Sequence, residues 1–380
     1  MEYIQKKSAD SAVEQFLLKA ADQEVTLSWD RYEGQLPECG FCEAGLSCRD
    51  CLQGPCISHP FKDQNKMGVC GKDRDTLAVQ SLLRLILKGT MANLDVLNDF
   101  TQAVSGGAIE PKDKKAADRM LKSIQKLIHE GASNGAADLP KDMVEAWTAK
   151  NIMPEGIATD LIKASQKLEG GISSVEETLL WTLKCALLGS FAQKMYASLK
   201  RAVFGTPGPT KVEVGLGVLG KQGVNILIYG RISPVLKQQI AQKAAEKGIN
   251  VFGVCTDPMV PPYVFPPVTN YGSQEIPLMT GAVDLIVAGD QSVNPSIKML
   301  AKEYNVKLVS PNSLGRGQDP AGFAGEIIRM AEEANDLRRD IPRDIPEARQ
   351  TALIGFSGLE IDVKKIAGAL DKGTLKGVCV

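Results

Sequence analysis

The stretch from Cys39 to Cys70 reads CGFCEAGLSCRDCLQGPCISHPFKDQNKMGVC and holds six of the nine cysteines in the 380-residue chain. Cysteines at this density are typical of a metal site when the protein is kept in a reducing compartment. The odd total of nine also fits poorly with a closed set of disulfides. The stretch therefore predicts iron–sulfur or zinc chemistry, held in a loop over residues 36–71.

The inner cysteines follow the spacing Cys48-x2-Cys51-x4-Cys56-x13-Cys70. Four thiolates are the ligand set of a [4Fe–4S] cluster, and the glycines within the loop let the backbone bend closely around such a group. The spacing favours an iron–sulfur cluster at these four positions.

Cys39 and Cys42 form a CxxC pair that has no second pair in the chain. Half a site on one chain indicates that a second copy supplies the other half, so that a [2Fe–2S] or [4Fe–4S] cluster is shared on the two-fold axis of a homodimer. A structural zinc ion bound by Cys39, Cys42, Cys48 and Cys51 is the alternative, and it leaves the other two cysteines of the stretch unexplained.

The composition argues against a polyanionic partner. Lys and Arg number 44 and Asp and Glu number 45, so the formal net charge is −1. No long-range positive field is available to attract nucleic acid or an anionic membrane surface. The sequence has no signal-peptide pattern and no apolar run long enough to cross a bilayer, and we expect a cytoplasmic protein without membrane insertion. The only histidines are His59 and His129, which leaves few groups for proton transfer near neutral pH.

Apolar residues recur with the period of an α-helix through the N-terminal half of the chain, apart from the cysteine loop. This pattern predicts helices over Ser11–Ala21, Asp73–Val104, Lys112–His129, Pro140–Lys150, Glu155–Leu168 and Val175–Val203. Later β-branched runs alternate with helical segments and predict strands over Val224–Tyr229, Ile249–Val254, Val283–Ala288 and Val306–Val309. Such alternation is typical of a parallel sheet covered by helices on both faces.

Three helix starts are predicted where a polar residue precedes proline, at Ser233-Pro234, Asn294-Pro295 and Asp319-Pro320. The tandem RDIPRDIP at 339–346 predicts a linker. After it the pattern predicts a strand, a helix and a second strand over Ala352–Phe356, Glu360–Leu370 and Leu375–Val380. The expected fold class is α plus α/β: an all-helical iron–sulfur domain over 1–210, a Rossmann-like parallel α/β domain over 211–338, and a short β-α-β remnant of a third domain over 347–380.

Gly215, Gly217 and Gly220 match the dinucleotide-binding pattern GxGxxG. They precede the strand at Val224–Tyr229 instead of following it, so no helix N-terminus is in place to receive a pyrophosphate. We interpret the match as a turn. The loop that begins at Arg231, after that strand, is a better position for a small ligand, because parallel sheets bind ligands at the carboxyl ends of their strands.

The segments CRDCLQGPC and GVCG, followed by a long helical pattern, resemble the N-terminal part of the nickel–iron carbon monoxide dehydrogenases. The resemblance continues through VEVGLGVLGKQGVNILIYG, TGAVDLIVAGDQSVNPS and ALIGFSGLE, and covers most of this chain but only part of a family member. It implies that Cys48, Cys51, Cys56 and Cys70 bind a [4Fe–4S] cluster inside each subunit. It also implies that the CxxC pair before them bridges the two subunits of a homodimer.

The family holds its nickel–iron–sulfur centre with one histidine and several cysteines, and this chain departs from that ligand set. The resemblance puts the histidine position on Tyr229 and one cysteine position on Ser292, while Cys255 and Cys379 lie near two others. Phenol and hydroxyl oxygens are hard donors, whereas a nickel–sulfur site favours soft ones. We interpret the chain as a C-terminally truncated, divergent member without bound nickel, in which Cys255 is a small buried hydrophobic residue.

The family's proton-relay histidines fall on Asn93 and Val96, neither of which titrates usefully. Relative to the family, this chain therefore differs both in its metal ligands and in its proton-relay residues. The leading hypothesis is a homodimeric iron–sulfur electron-transfer protein that is inactive in carbon monoxide oxidation and exchanges electrons with a ferredoxin-like or other redox protein.

Two other functions stay open. One is a redox enzyme with a remodelled metal site near Tyr229, Cys255 and Ser292, acting on carbon monoxide or on a different substrate. The other is a redox or carbon monoxide sensor, an accessory protein that docks on a second subunit through its C-terminal surface.

Overall fold

The chain, described here from a computed structural model, divides into two compact units. We call Trp29–Val203 the helical unit, and Met1–Ser28 together with Phe204–Val380 the sheet unit. The structure describes residues 7–58, 66–129, 140–169, 172–311, 319–356 and 362–377. No helix in these ranges combines the length and the apolar character needed to cross a bilayer.

Within the described ranges the helices, in chain order, are α1 (Ser11–Asp22), α2 (Ser28–Glu33), α3 (Gly40–Glu43), α4 (Arg74–Ser105), α5 (Lys114–His129), α6 (Lys141–Ala149), α7 (Ile157–Glu169), α8 (Val175–Phe204), α9 (Pro234–Lys247), α10 (Ile276–Met279), α11 (Ile297–Glu303), α12 (Pro320–Leu337) and α13 (Val363–Asp371). The strands are β1 (Ser47–Cys48), β2 (Cys56–Ile57), β3 (Thr210–Val214), β4 (Asn225–Tyr229), β5 (Asn250–Val254), β6 (Met259–Val260), β7 (Tyr263–Val264), β8 (Pro267–Thr269), β9 (Leu285–Ala288), β10 (Lys307–Val309) and β11 (Gln350–Ile354). Each long helix predicted from periodicity is present, with ends that differ by a few residues.

The long helices of the helical unit pack around small buried side chains. Helix α4 begins after Asp73, whose carboxylate accepts a hydrogen bond from the Thr76 backbone N–H at 2.8 Å. Leu83 of α4, Ala164 of α7 and Cys185 of α8 form one buried cluster. Burial, with the nearby Asp160 carboxylate, raises the pKa of Cys185 to about 11, so this thiol behaves as a packed hydrophobic group.

The core of the sheet unit is a five-stranded sheet in the order β10-β9-β4-β5-β8, with every neighbouring pair parallel. Chain order reverses between β4 and β9, and open parallel sheets bind ligands at the carboxyl ends of strands at such a point. All five residues of β4 are buried, as expected for a strand covered on both faces. Leu227 and Tyr229 of β4 pack in one buried cluster with Phe16 of α1, while α9 and α12 pack together against β5, β9 and β10.

Several elements differ from the sequence predictions. The sheet strand β8 was not predicted, because it is three residues long and begins with proline. The predicted helix start at Asn294-Pro295 is wrong by two residues, since α11 begins at Ile297. The Asn294 backbone N–H donates instead to the Gln274 side-chain oxygen at 2.8 Å. The strand predicted over 375–380 is absent at 375–377, and its remainder lies outside the described residues.

The RDIPRDIP segment is anchored to the sheet unit and is not a free linker. Arg338 lies against the buried carboxylate of Asp284, with Nε 3.7 Å from Oδ1, and donates through Nη2 to the Gly281 carbonyl at 3.0 Å. Arg343 donates to the Gly220 and Gly223 carbonyls at 3.0 and 2.8 Å. The proline pattern correctly ends helix α12, but Arg338 just before the segment and Arg343 between its prolines supply tertiary contacts that proline spacing alone does not indicate.

The GxGxxG match has a packing explanation in the sheet unit. Gly217 lies in a short 3-10 turn before β4, and its N–H donates to the Ala348 carbonyl at 3.1 Å. A Cβ on Gly217 would lie 2.5 Å from that carbonyl oxygen and 2.7 Å from the Pro346 carbonyl oxygen. Glycine is therefore needed where the segment before β11 crosses this turn.

We predict that Gly217→Ala lowers the free energy of unfolding by about 1–3 kcal/mol, because the added methyl group forces two backbone segments apart. Gly325→Ala is the control, since a Cβ on this α12 glycine meets nothing within 4 Å and should stabilise the helix by about 0.5–1 kcal/mol. Urea unfolding of both variants checks the pair. A Gly217→Ala protein as stable as the parent would contradict the packing explanation.

Candidate metal centre

Cys48 and Cys56 are placed side by side by a short antiparallel ladder. Strands β1 and β2 pair so that the Cα atoms of Cys48 and Cys56 are direct partners. The connection between the strands carries Cys51 and turns back through Gly54, whose N–H donates to the Cys51 carbonyl at 3.2 Å. Three of the six clustered cysteines are thus brought together by local structure.

A tight turn before α4 brings Cys70 to the cavity that Cys48, Cys51 and Cys56 also line. The Gly68 N–H donates to the Lys72 carbonyl at 2.8 Å and closes the turn that holds Cys70. Within it, the Val69 N–H lies 3.4 Å from the Cys56 sulfur, in position to donate to it. The turn that carries Cys70 is thereby tied to the Cys56 side chain.

Cys48, Cys51, Cys56 and Cys70 all line one cavity of about 480 Å³. One water molecule occupies about 30 Å³ in the liquid, so the volume suits a group of several atoms better than a single ion. No three His, Cys, Asp or Glu side chains in the described residues are close enough to bind one ion together. Sulfur donors around a space of this size fit a cluster that has its own bridging atoms.

Asp50 links the cysteine loop to helix α4. Its Oδ2 accepts hydrogen bonds from the Cys48 thiol at 3.2 Å and from the Lys72 ammonium at 3.3 Å, and it also pairs with Arg84. Burial acts to raise the pKa of Asp50, but the Cys48 thiol and the two cations outweigh it, and the pKa is lowered. Asp50 is therefore an anion that holds two cations beside the cavity.

Burial raises the pKa of the Cys48 thiol, and the Asp50 carboxylate adds to this, while the Asp50 N–H and Lys72 oppose it. A thiolate at Cys48 loses its S–H donor and faces the Asp50 carboxylate as a like charge. Lys72 and Arg84 offset that repulsion. Sequence reasoning missed Asp50, Lys72 and Arg84, although Asp50 lies between two cysteines and Lys72 two residues beyond the last.

Cys39 and Cys42 are not among the residues that line the cavity shared by the other four cysteines. Both are exposed; Cys39 precedes the single turn of α3, and Cys42 lies within it. The Cys42 backbone N–H is directed at the Cys39 sulfur and lowers the pKa of that thiol. An exposed pair of cysteines in which one thiol has a lowered pKa is suited to bind a metal centre that a second molecule also binds.

Tyr229 ends β4 as a fully buried side chain with a satisfied hydroxyl group. Its Oη donates to the Gln274 carbonyl at 2.8 Å. Burial raises the pKa of Tyr229 well above its usual value, and Cys255 and Glu275 add to the rise. The phenol stays protonated and acts as a hydrogen-bond donor, so the structure gives it a packing role at this position.

Two further candidate residues lie just after strands of the sheet, near the carboxyl end of β4. Cys255 after β5 and Ser292 after β9 both adopt left-handed backbone conformations, with φ of 53° and 63°. Burial raises the pKa of Cys255. The loops after β4 and β9 are paired by a bridge between Arg231 and Gln291, and a Cβ on Gly230 would lie 2.0 Å from the Gln291 carbonyl oxygen.

The remaining candidates divide between described and undescribed parts of the chain. The Asn93 side-chain oxygen accepts a hydrogen bond from Gln193 at 3.1 Å on the helical unit, and Val96 is half-buried on the same helix. Cys379 and His59 lie outside the described residues.

A helical unit with a four-thiol cavity and a parallel five-stranded α/β unit together define a mixed α and α/β protein with a candidate metal site in its helical part. The chain belongs to the Prismane/CO dehydrogenase family, whose model matches residues 46–109 and 103–380. The resemblance inferred from the cysteine loop and the strand segments is thereby confirmed.

Individual relatives agree with this membership. Carbon monoxide dehydrogenase 1 of Methanosarcina mazei is 30% identical over 435 residues, which cover 98% of this chain and 69% of the relative. Carbon monoxide dehydrogenase 2 of Carboxydothermus hydrogenoformans is 28% identical over 437 residues with the same coverage.

Solved structures give the same picture. Carbon monoxide dehydrogenase IV from Carboxydothermus hydrogenoformans superposes with a TM-score of 0.85 at 27% identity, over 97% of this chain and 66% of that one. The as-isolated, nickel-free crystal structure of carbon monoxide dehydrogenase from Thermococcus sp. AM4, produced without the CooC maturase, gives a TM-score of 0.85 at 26% identity, over 99% of this chain and 70% of that one. This chain spans about two thirds of the length of these relatives.

We predict that Tyr229→Phe lowers the free energy of unfolding by about 1–2 kcal/mol, because the buried Gln274 carbonyl loses its hydroxyl donor. Tyr271→Phe is the control, since that side chain is 55% exposed and its change should stay within about 0.5 kcal/mol. Denaturant unfolding with metal analysis of each variant tests the role. A loss of bound metal from Tyr229→Phe would show that the phenol is a ligand and would contradict this assignment.

Proposed function

We propose that this chain is an iron–sulfur protein that transfers single electrons and has no nickel–iron–sulfur centre for carbon monoxide oxidation. The observation that carries the proposal is the single cavity lined by Cys48, Cys51, Cys56 and Cys70. Four thiolates are the ligand set of a [4Fe–4S] cluster, which supplies a one-electron redox centre when it is bound. Membership of a family that includes carbon monoxide dehydrogenases supports iron–sulfur chemistry over zinc.

The position of the CxxC pair supports a separate, shared cluster. A zinc site made from Cys39, Cys42, Cys48 and Cys51 would need the first two beside the cavity, and they are not among its lining residues. The exposed pair instead offers two thiols to a second copy of the chain, and two such pairs complete a [2Fe–2S] or [4Fe–4S] ligand set in a homodimer. The domain division into 1–210, 211–338 and 347–380, and a cytoplasmic location, stay predictions.

The state of Tyr229 supports the absence of nickel. A nickel–sulfur site favours soft donors, whereas Tyr229 is a buried, protonated phenol bound to a carbonyl oxygen. Ser292 offers a hydroxyl group where the resemblance expects a thiolate, so two of these positions present hard oxygen donors to a site that favours soft ones.

A redox enzyme with a remodelled site is the second candidate, and one observation favours it. Cys255 and Ser292 are both non-glycine residues in the left-handed region, at the carboxyl ends of β5 and β9. Backbone strain of this kind clusters at functional sites. Nickel in stoichiometric amount, together with viologen reduction under carbon monoxide, would favour the enzyme over the electron carrier.

EPR spectroscopy of dithionite-reduced, anoxically purified protein tests the proposal through three variants. Cys56→Ser should remove the signal of the cluster within the subunit, because one of its four ligands is lost. Cys39→Ser should keep that signal and remove any contribution of the shared cluster. Cys185→Ala is the control, since this buried thiol is packed in the α4–α7–α8 cluster, and both signals should persist. An unchanged spectrum in Cys56→Ser would reject the ligand assignment.

We further predict that Asp50→Asn raises the midpoint potential of the cluster by on the order of 100 mV. Removing a negative charge beside the cluster disfavours the oxidised state, and a unit charge a few ångströms away interacts by about 3 kcal/mol at an effective dielectric of ~20. Asp75→Asn is the matched control, because that carboxylate lies on the first turn of α4 with 63% of its side chain exposed. A redox titration followed by EPR measures the midpoint potential of the cluster in each protein. Equal midpoint potentials in the parent and in Asp50→Asn would show that Asp50 does not tune the potential.

A further inference from the structure

Helix α5 carries four cations along one face. Lys115, Arg119, Lys122 and Lys126 follow the spacing i, i+4, i+7 and i+11, and we call them the basic stripe. At about 100° per residue they fall within an arc of about 60° and extend for about 16 Å along the helix. All four side chains are exposed.

The packing of α5 fixes the direction in which this stripe faces. Ala117, Ile124 and Leu127 are buried with at most 1% exposure, and they lie on the side of the helix opposite the cations. The apolar face of α5 is thus already used within the helical unit. The basic stripe therefore faces solvent.

The stripe is not neutralised by the part of the chain that the structure describes. No carboxylate there forms an ion pair with any of its four cations. From Lys112 to Lys126 the sequence has six basic residues and two acidic ones, although the whole chain has a net charge of −1. One of the two acids, Asp113, accepts a hydrogen bond from the Ala116 N–H at 2.9 Å. Like charges at this spacing destabilise a helix on its own, and an acidic surface would remove that repulsion.

The stripe and the cysteine cavity belong to the same unit and are separated by one helix. Helix α5 packs against α7, and Glu169, the last residue of α7, lines the cavity. Packed helix axes lie about 8–10 Å apart. A protein bound on the stripe would therefore lie on the same unit as the proposed cluster, with α7 between them.

We propose that the basic stripe of α5 is the docking surface for a small acidic electron-carrier protein. The proposal rests on the electron-transfer function proposed above and names the class of partner. Complementary charge accelerates encounter and fixes orientation, which suits a carrier that binds briefly and leaves. Nucleic acid fits less well because the chain is slightly acidic overall, and a membrane surface fits less well because the apolar face of α5 is buried.

The test measures binding of a small acidic two-[4Fe–4S] ferredoxin to the anoxically purified 380-residue chain by biolayer interferometry. The triple variant Lys115→Gln/Arg119→Gln/Lys122→Gln should bind at least about tenfold more weakly at ~50 mM salt, and the difference should shrink at ~300 mM salt as the charges are screened. The control variant Lys298→Gln/Lys302→Gln/Lys307→Gln removes the same charge from three exposed lysines of the sheet unit. Its affinity should match that of the parent.

Equal weakening in the two triple variants, or no ferredoxin binding by the parent, would overturn the docking surface. Polyuridylate is tested in parallel, and tighter binding of this polymer with the same dependence on the stripe would overturn the choice of partner. Iron and acid-labile sulfide are measured on the same preparations. A loaded protein without stripe-dependent binding rejects the docking surface alone, whereas zinc in place of iron rejects the electron-transfer function whatever the binding result.

Discussion

The convergence of four thiols on one cavity is the constraint on which the rest of the structure depends. Three short pieces of chain supply them: a two-residue ladder, the turn within it, and a second turn before α4. Pieces this short have little apolar surface to bury, so hydrogen bonds and charge must hold them. Asp50 does this by binding Lys72 and Arg84 across the loop, and a bound cluster would add its own cross-links.

The sheet unit shows a different chemistry at the position where sequence resemblance expects a metal centre. Tyr229 completes a buried network by donating to the Gln274 carbonyl, and the Gln274 side chain in turn accepts from the Asn294 N–H. Hydrogen bonds here join the end of β4 to the loop after β9. A buried network of this kind is stable only when each polar group has a partner, which makes replacement of one member by a metal ligand costly. The two units thus differ at these positions: thiols line a cavity in the helical unit, whereas a hydrogen-bonded phenol ends β4 in the sheet unit.

Periodicity predicted the long helices and four strands of the main sheet, because an apolar face repeats over many residues there. Short elements escaped it: β8 has three residues, and β1 and β2 have two each. The cysteine spacing predicted which thiols belong together, since four ligands of one cluster must be close in sequence or brought close by a turn. The cysteine spacing did not indicate Arg84, which pairs with Asp50 from 34 positions away in the sequence. The proline pattern likewise did not indicate that Arg338 and Arg343 anchor the segment after α12. Contacts between distant residues depend on tertiary packing, which local patterns do not encode.

The most direct test of the account is elemental analysis of the anoxically purified protein, with iron, nickel, zinc and acid-labile sulfide measured on one sample. A four-thiol site filled by a cubane cluster predicts iron and sulfide in equal amounts, at about four or more of each per chain, with nickel and zinc at trace level. One zinc per chain without sulfide would contradict the cluster. Stoichiometric nickel beside the iron would contradict the claim that the sheet unit has no such centre.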